Sequence, residues 1–239
     1  MWSVMRPGIT VRRRALRKLA ARGPLLLLLA FLTSCQPKPA WLGGSGPLAV
    51  EGLCPVSTDQ MTHMNEDDVI EWVVEEFGRS PRQVQHTRGA SVAIYGWHVW
   101  GMDDSAYLHE GYLVRVTLDD IEGGPTFGEI VAGSGAPEMV FAYNGGVEQV
   151  LYSVGLRYPA RGVTVYTSGY ADPLDLRHDG ELLLELTEDM PVDRIDCYLP
   201  GRMEDVLRDS YLLDADGVEY NMACTVPWPG FGELVRLCW

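Results

Sequence analysis

Two histidines and two aspartates fall close together in this chain: His98, Asp103, Asp104 and His109. Imidazole and carboxylate side chains together form a ligand set that suits a transition metal. A metal held there would polarise an acyl or phosphoryl oxygen or activate water, so the four residues are a candidate centre for metal-assisted hydrolysis. Their spacing matches no metal motif, and the competing reading is a half-buried His98 beside a polar loop. His109-Glu110 lacks the second histidine of the H-E-x-x-H zinc pattern, and there is no G-x-S-x-G, no phosphate-binding loop and no dinucleotide glycine fingerprint.

Acidic clusters give a second candidate chemistry. Asp214, Asp216 and Glu219 resemble a fragment of a calcium loop, and Asp119, Asp120 and Glu122 precede Gly123-Gly124-Pro125. Calcium needs six to eight oxygens, which neither cluster supplies alone, so surface turns are the competing reading. Aromatic residues give a third. Tyr95, Trp97 and Trp100 lie on one β-like run, with Tyr95 and Trp97 on one face and Trp100 on the other. An exposed aromatic face binds carbohydrate or peptide, whereas a buried one is core.

The cysteines speak to compartment. Cys54, Cys197, Cys224 and Cys238 are an even set, as expected for two disulfides in an exported chain. Four cysteines allow three pairings. The short span across Pro227-Trp228-Pro229-Gly230 favours Cys224 with Cys238, which leaves Cys54 with Cys197. There is no C-x-x-C pair and no nearby histidine, which argues against zinc.

These residues need elements to hold them. Residues 66–77 read as a helix: Asn65 caps it, Glu66, Asp67 and Asp68 place negative charge on its first turn, and Gly78 ends it. Val69, Ile70, Val73, Val74 and Phe77 form its apolar stripe, and Met64 with Val69 forms a hydrophobic staple. Strands are expected at 92–100, 112–118, 127–132, 139–143, 163–167, 181–187, 192–199, 209–214 and 218–224. Asp214-Ala215-Asp216-Gly217 is expected to turn the last two into a hairpin. Val147 to Val154 fits either helix or strand, and residues 155–162 are a possible boundary. The fold class expected is mixed, β-rich α+β: one amphipathic helix near the start followed by antiparallel strands, with a β-sandwich-like C-terminal part.

The start of the chain differs from the rest. Residues 1–34 hold Arg6, Arg12, Arg13, Arg14, Arg17, Lys18 and Arg22 and no acid, followed by an apolar run from Leu25 to Leu32. The run is far short of the ~20 residues that span a bilayer, so it reads as an export signal. Leu32-Thr33-Ser34-Cys35 resembles the lipobox of bacterial lipoproteins. That resemblance implies cleavage before Cys35, lipidation of its sulfur, and acylation of its new amino group. Two or three acyl chains anchor a protein stably without spanning the membrane. Gln36 follows the cysteine, which in a bacterium with two membranes implies the outer membrane.

The expected organisation is a cleaved signal peptide at 1–34, a lipidated Cys35 with a Pro/Gly tether at 35–50, an α+β half at 51–158, and a β-rich, disulfide-braced half at 159–239. The alternative is that the last two form one mixed domain. Fifteen tether residues reach roughly 50 Å at about 3.3 Å each. The chain carries 19 Lys+Arg against 33 Asp+Glu, net −14, and loss of residues 1–34 leaves 12 cations and a net charge of −21. Such a surface excludes a general nucleic-acid binder. The function expected is a membrane-anchored, extracytoplasmic, non-catalytic binding or scaffold module of the bacterial cell envelope, without a cofactor, whose partner is an envelope protein or glycan. A metal-assisted envelope hydrolase and a calcium-stabilised structural lipoprotein are the alternatives.

Overall fold

The computed structural model of the chain describes residues 48–78, 80–87, 92–96, 104–119, 121, 123–146, 150–172, 177–178 and 181–238. Residues 1–34, expected to be a signal peptide, lie outside them, as do Cys35, Trp97, His98, Trp100, Asp103, Asp120 and Glu122.

Local sequence sets the first helices. Ser57 and Gln60 form a capping box on the single turn α1, Thr58–Met61. Asn65 Oδ1 accepts from the backbone N–H of Asp67 and Asp68 to open α2, Glu66–Phe77, and Asp68 answers by accepting from the N–H of Asn65. Gly78 closes α2 in the left-handed conformation, at φ 64°. Val69 and Val73 are fully buried, each worth about 1.5–3 kcal/mol relative to exposure.

The remaining chain builds a nine-stranded antiparallel sheet. It uses β1 (Arg82–Thr87), β2 (Val92–Gly96), β3 (Ser105–His109), β4 (Tyr112–Leu118), β5 (Met139–Asn144), β6 (Val150–Tyr158), β7 (Val163–Ala171), β10 (Arg194–Tyr198) and β11 (Thr225–Pro227). Their order across the sheet is β1-β2-β3-β4-β10-β7-β6-β5-β11. Strand β10 enters between β4 and β7, so residues from both halves of the chain interleave in one sheet. Residues 155–162 lie within the β6–β7 hairpin, whose strands pair along nine residues. A smaller antiparallel sheet joins β8 (Arg177–His178), β9 (Glu181–Glu185) and β12 (Leu234–Arg236) in the order β12-β9-β8.

Two expected strands are helical instead, and a third is a helix end and the loop after it. Residues 127–132 belong to α3, Phe127–Ser134, whose buried residues Phe127, Ile130 and Ser134 recur at helical spacing. Its start is fixed by Thr126 and Glu129, which form another capping box. Residues 209–214 close α4, Met203–Asp209, and the loop after it, where Leu212 is left-handed at φ 59°. Residues 218–223 lie on α5, Ala215–Ala223, with Cys224 as its C-cap, and Asp214 caps the start of that helix by accepting from the Gly217 N–H. The expected hairpin turn is thus a helix N-terminus. The C-terminal part combines the second sheet with this helix pair.

The large sheet has an apolar and a polar face. Val116, Ile195, Cys197, Val163, Val165, Val154, Leu156, Val140 and Ala142 join the main core with α2, α3 and the small sheet's Leu182, Leu184 and Val235. Ser134 Oγ pins the chain's entry by accepting from Val50 N at 2.6 Å and donating to Leu48 O at 3.2 Å. Gly133 permits that approach, since a Cβ there would sit 2.4 Å from Leu48 O. The other face is covered by α4 and the loop after it: Met203, Val206 and Leu207 pack with Tyr198, alongside Tyr211, Val218 and Met222.

Disulfides join Cys54 to Cys197 and Cys224 to Cys238, the pairing favoured by spacing. The first ties the chain's entry to β10. The second ties the end of α5 to the C-terminal residues beside β5.

Candidate functional site

The polar face of the sheet gathers the ionisable groups. A bulge on β4 turns Arg115 onto it: Tyr107 pairs with Arg115 while Leu108 pairs with Leu113, so Val114 is the extra residue. Leu113 therefore stays with the core while Arg115 and Thr117 face the opposite way. Arg194, Asp196 and Tyr198 of β10, Thr164 and Tyr166 of β7, and Arg157 of β6 complete the row, because alternation puts them opposite Ile195, Cys197, Val163, Val165 and Leu156. Gly155 makes room for Tyr166, whose ring would lie 2.8 Å from a Cβ at that position.

Asp196 is the centre. It is fully buried, and both of its oxygens are occupied. Oδ1 accepts from Thr117 Oγ1 at 2.8 Å and from Arg194 Nε at 3.1 Å. Oδ2 accepts from Arg194 Nη2 at 3.0 Å and from the Tyr211 hydroxyl at 2.7 Å. Tyr211 and Tyr166 share a further hydrogen bond of 2.9 Å, and Thr164 Oγ1 lies 2.8 Å from the Tyr198 hydroxyl.

Electrostatics follow from this packing. Burial alone would raise the Asp196 pKa, but the guanidinium groups of Arg194 and Arg115 and the hydrogen bonds from Arg194 and Tyr211 more than offset it and hold the carboxyl below its ordinary value. Asp196 in turn pushes Arg194 further up. Burial raises the phenol pKa values of Tyr166, Tyr198 and Tyr211, and the neighbouring Asp196 charge adds to each. At neutral pH the carboxyl is ionised and the phenols are protonated.

Two arginines on this face have no carboxylate bonded to them among the described residues. Arg157, 1% exposed, donates to Thr225 Oγ1 at 2.7 Å and Asn221 Oδ1 at 3.3 Å, and its guanidinium lies 4.4 Å from the Phe141 ring centre. Arg115, 7% exposed, has the Tyr107 ring 3.7 Å and the Tyr211 ring 4.4 Å from its central carbon. The buried Nε of each arginine lacks a hydrogen-bond partner.

Beside the network, α4 and α5 frame an open groove of about 620 Å³, with Leu213, Val218 and Met222 as its apolar part and Glu204, Asp214 and Glu219 among its polar lining.

The structure treats the sequence-based candidates unevenly. Asp104 directly precedes β3 and His109 ends it, which separates them by roughly 16 Å of extended chain. Asp104 Oδ1 accepts from the Asp119 N–H at 3.0 Å, so that carboxylate orders the β4 exit. Tyr95 lies on β2, paired with Gln83 and Ala106. Among the described residues no group of three or more His, Cys, Asp or Glu side chains is placed to hold a metal ion, and no helix is long and apolar enough to cross a membrane. Sequence reasoning missed Arg115, Arg157, Tyr166, Arg194, Asp196 and Tyr211. The available signal was the alternation of charged with apolar residues in Arg194-Ile195-Asp196-Cys197, which marks a strand with a polar face. No protein-family model, no curated protein and no solved structure matches the chain.

Proposed function

We propose that the protein is a lipid-anchored lipoprotein of the bacterial cell envelope whose folded part is a non-catalytic binding module. The two disulfides carry this reading. One of them closes a span of 143 residues, and such bonds persist in the oxidising space outside the cytoplasm. The basic, apolar leader and Leu32-Thr33-Ser34-Cys35 supply the route to that space and the anchor, with attachment in the outer membrane of a two-membrane host. The polar face supports binding over catalysis. Its carboxylate is saturated with donors and its phenols are held protonated, so none of these groups is poised to exchange a proton near neutrality. The partner is an envelope protein or glycan.

The test has two parts. Cys35→Ala is expected to move the protein from the membrane to the soluble fraction, and a variant that still sediments with lipid refutes the anchor. Chemical crosslinking in intact envelopes, followed by affinity recovery and mass spectrometry, is expected to return one dominant, near-stoichiometric partner or a covalently trapped glycan. Recovery of the protein alone refutes the binding reading.

A further inference from the structure

We infer that Arg115, held between Tyr107 and Tyr211, is the binding site for a carboxylate group of a ligand. The inference deepens the binding reading and rests on it, and it is independent of the anchor.

Charge balance on the sheet face gives the first reason. Arg115 and Arg194 both act on one carboxylate, Asp196, and that carboxylate has no acceptor position left. Thr117, Tyr211 and both donating nitrogens of Arg194 fill its roughly four lone-pair sites. Among the described residues, Arg115 therefore has a positive charge and a set of N–H donors with no anion bonded to them. It makes no hydrogen bond among the described residues, although it is more than nine-tenths buried. Its Nε is buried with no partner among the described residues; a buried donor left without an acceptor is costly, and a structure built only for stability would supply one.

Geometry gives the second reason. Tyrosine faces stand 3.7 Å and 4.4 Å from the guanidinium carbon, one from β3 and one from the loop after α4. Rings at those distances pack against the guanidinium carbon, so a ligand is recognised through the nitrogens of the group. The partner that matches a planar fork edge-on is a two-oxygen planar acceptor, a carboxylate, bound by two parallel N–H···O bonds. The same rings add cation–π attraction that fixes the fork in place before any ligand arrives. Tyr211 also bonds to Asp196, so the wall of the site is itself held by the network. In a chain of net charge −14, this is a local excess of positive charge where an acidic ligand is attracted.

The experiment uses the full-length chain in detergent micelles with 15N-labelled arginine, observing the Nε–H resonances by NMR. Arg115→Lys assigns the Arg115 signal by its disappearance. Sodium acetate is titrated in at constant ionic strength, with sodium phosphate and sodium chloride as separate probes. The expected result is a saturable shift of the Arg115 signal with acetate, a much weaker one with phosphate and none with chloride. Tyr107→Leu, which retains the arginine, is expected to weaken the acetate response about tenfold, and it assigns the signal should Arg115→Lys not fold. No saturable shift with acetate overturns the proposal, as does an equal response to chloride or phosphate. A partner recovered by crosslinking together with a silent Arg115 signal defeats this site while leaving the binding reading standing.

Discussion

The hydroxyl of Tyr211 donates to Asp196 Oδ2 across 2.7 Å, joining the loop that follows α4 to the centre of the nine-stranded sheet. The same hydroxyl lies 2.9 Å from that of Tyr166, and the Tyr211 ring stands beside Arg115. Tyr211→Phe keeps the ring and removes the donor. Hydrogen bonds to charged groups contribute about 1.5–3 kcal/mol, so stability is expected to fall by that amount. Urea unfolding checks it: the midpoint falls and the slope stays constant, because the surface exposed on unfolding does not change.

Asp196→Asn removes the buried carboxylate to which Arg194 is hydrogen-bonded. Breaking a buried ion pair from one side costs about 3–5 kcal/mol, so this variant is expected to lose more than Tyr211→Phe. The pH dependence has a definite sign. The folded state depresses the Asp196 pKa, so its contribution is present above the ordinary carboxylate value. It is lost as pH falls from there through the lower, folded value. Unfolding midpoints measured down an acid series are expected to drop over that window in the natural protein. In Asp196→Asn that part of the drop disappears.

Helix α2 and both disulfides could be read from local signals: an apolar stripe between Asn65 and Gly78, and cysteines whose short span across two prolines favoured one pairing. Helix α3 was misread because Phe127, Ile130 and Val131 are residues that strands favour, although Thr126 and Glu129 carried a capping signature. In α5, Val218, Tyr220 and Met222 mimic a strand's alternation, and the Asp214 cap mimics a turn. The polar face was hidden for a different reason. Thr117 and Asp196 meet only because β10 inserts beside β4, a long-range choice that no local window contains. A face of Arg, Asp and Thr reads as solvent-exposed until α4 and Tyr211 are known to cover it.

Alkaline titration probes the same cover. Burial raises the pKa of Tyr166, Tyr198 and Tyr211, and raises Tyr158 to about 12 against the smaller opposing pull of Arg161. Above about pH 10 the unfolded chain has released phenolic protons that the folded one keeps, so stability falls as pH rises further. Tyrosinate absorbance in the native protein is expected to rise in an early step from the more exposed tyrosines and a late one that coincides with unfolding. In strong urea all are expected to titrate together near their ordinary value. A native titration that matches the urea curve contradicts the burial of these four phenols.

The two disulfides close loops of very different length, 143 residues for Cys54–Cys197 and 14 for Cys224–Cys238. In the chain-entropy account the longer closure contributes about 5 kcal/mol and the shorter about 3. Cys54→Ala/Cys197→Ala is therefore expected to destabilise the fold by about 2 kcal/mol more than Cys224→Ala/Cys238→Ala. The structural consequences differ as well. Loss of the first bond frees the chain's entry from β10, which remains held by pairing with β4 and β7. Loss of the second frees the end of α5 from the C-terminal segment, where Cys238 N donates to Ala142 O and Cys238 O accepts from Asn144 N. Limited proteolysis is expected to cut first before α1 in the former variant and beyond β12 in the latter. Equal losses of stability in the two variants would show that local packing, and not loop closure, sets what each bond contributes.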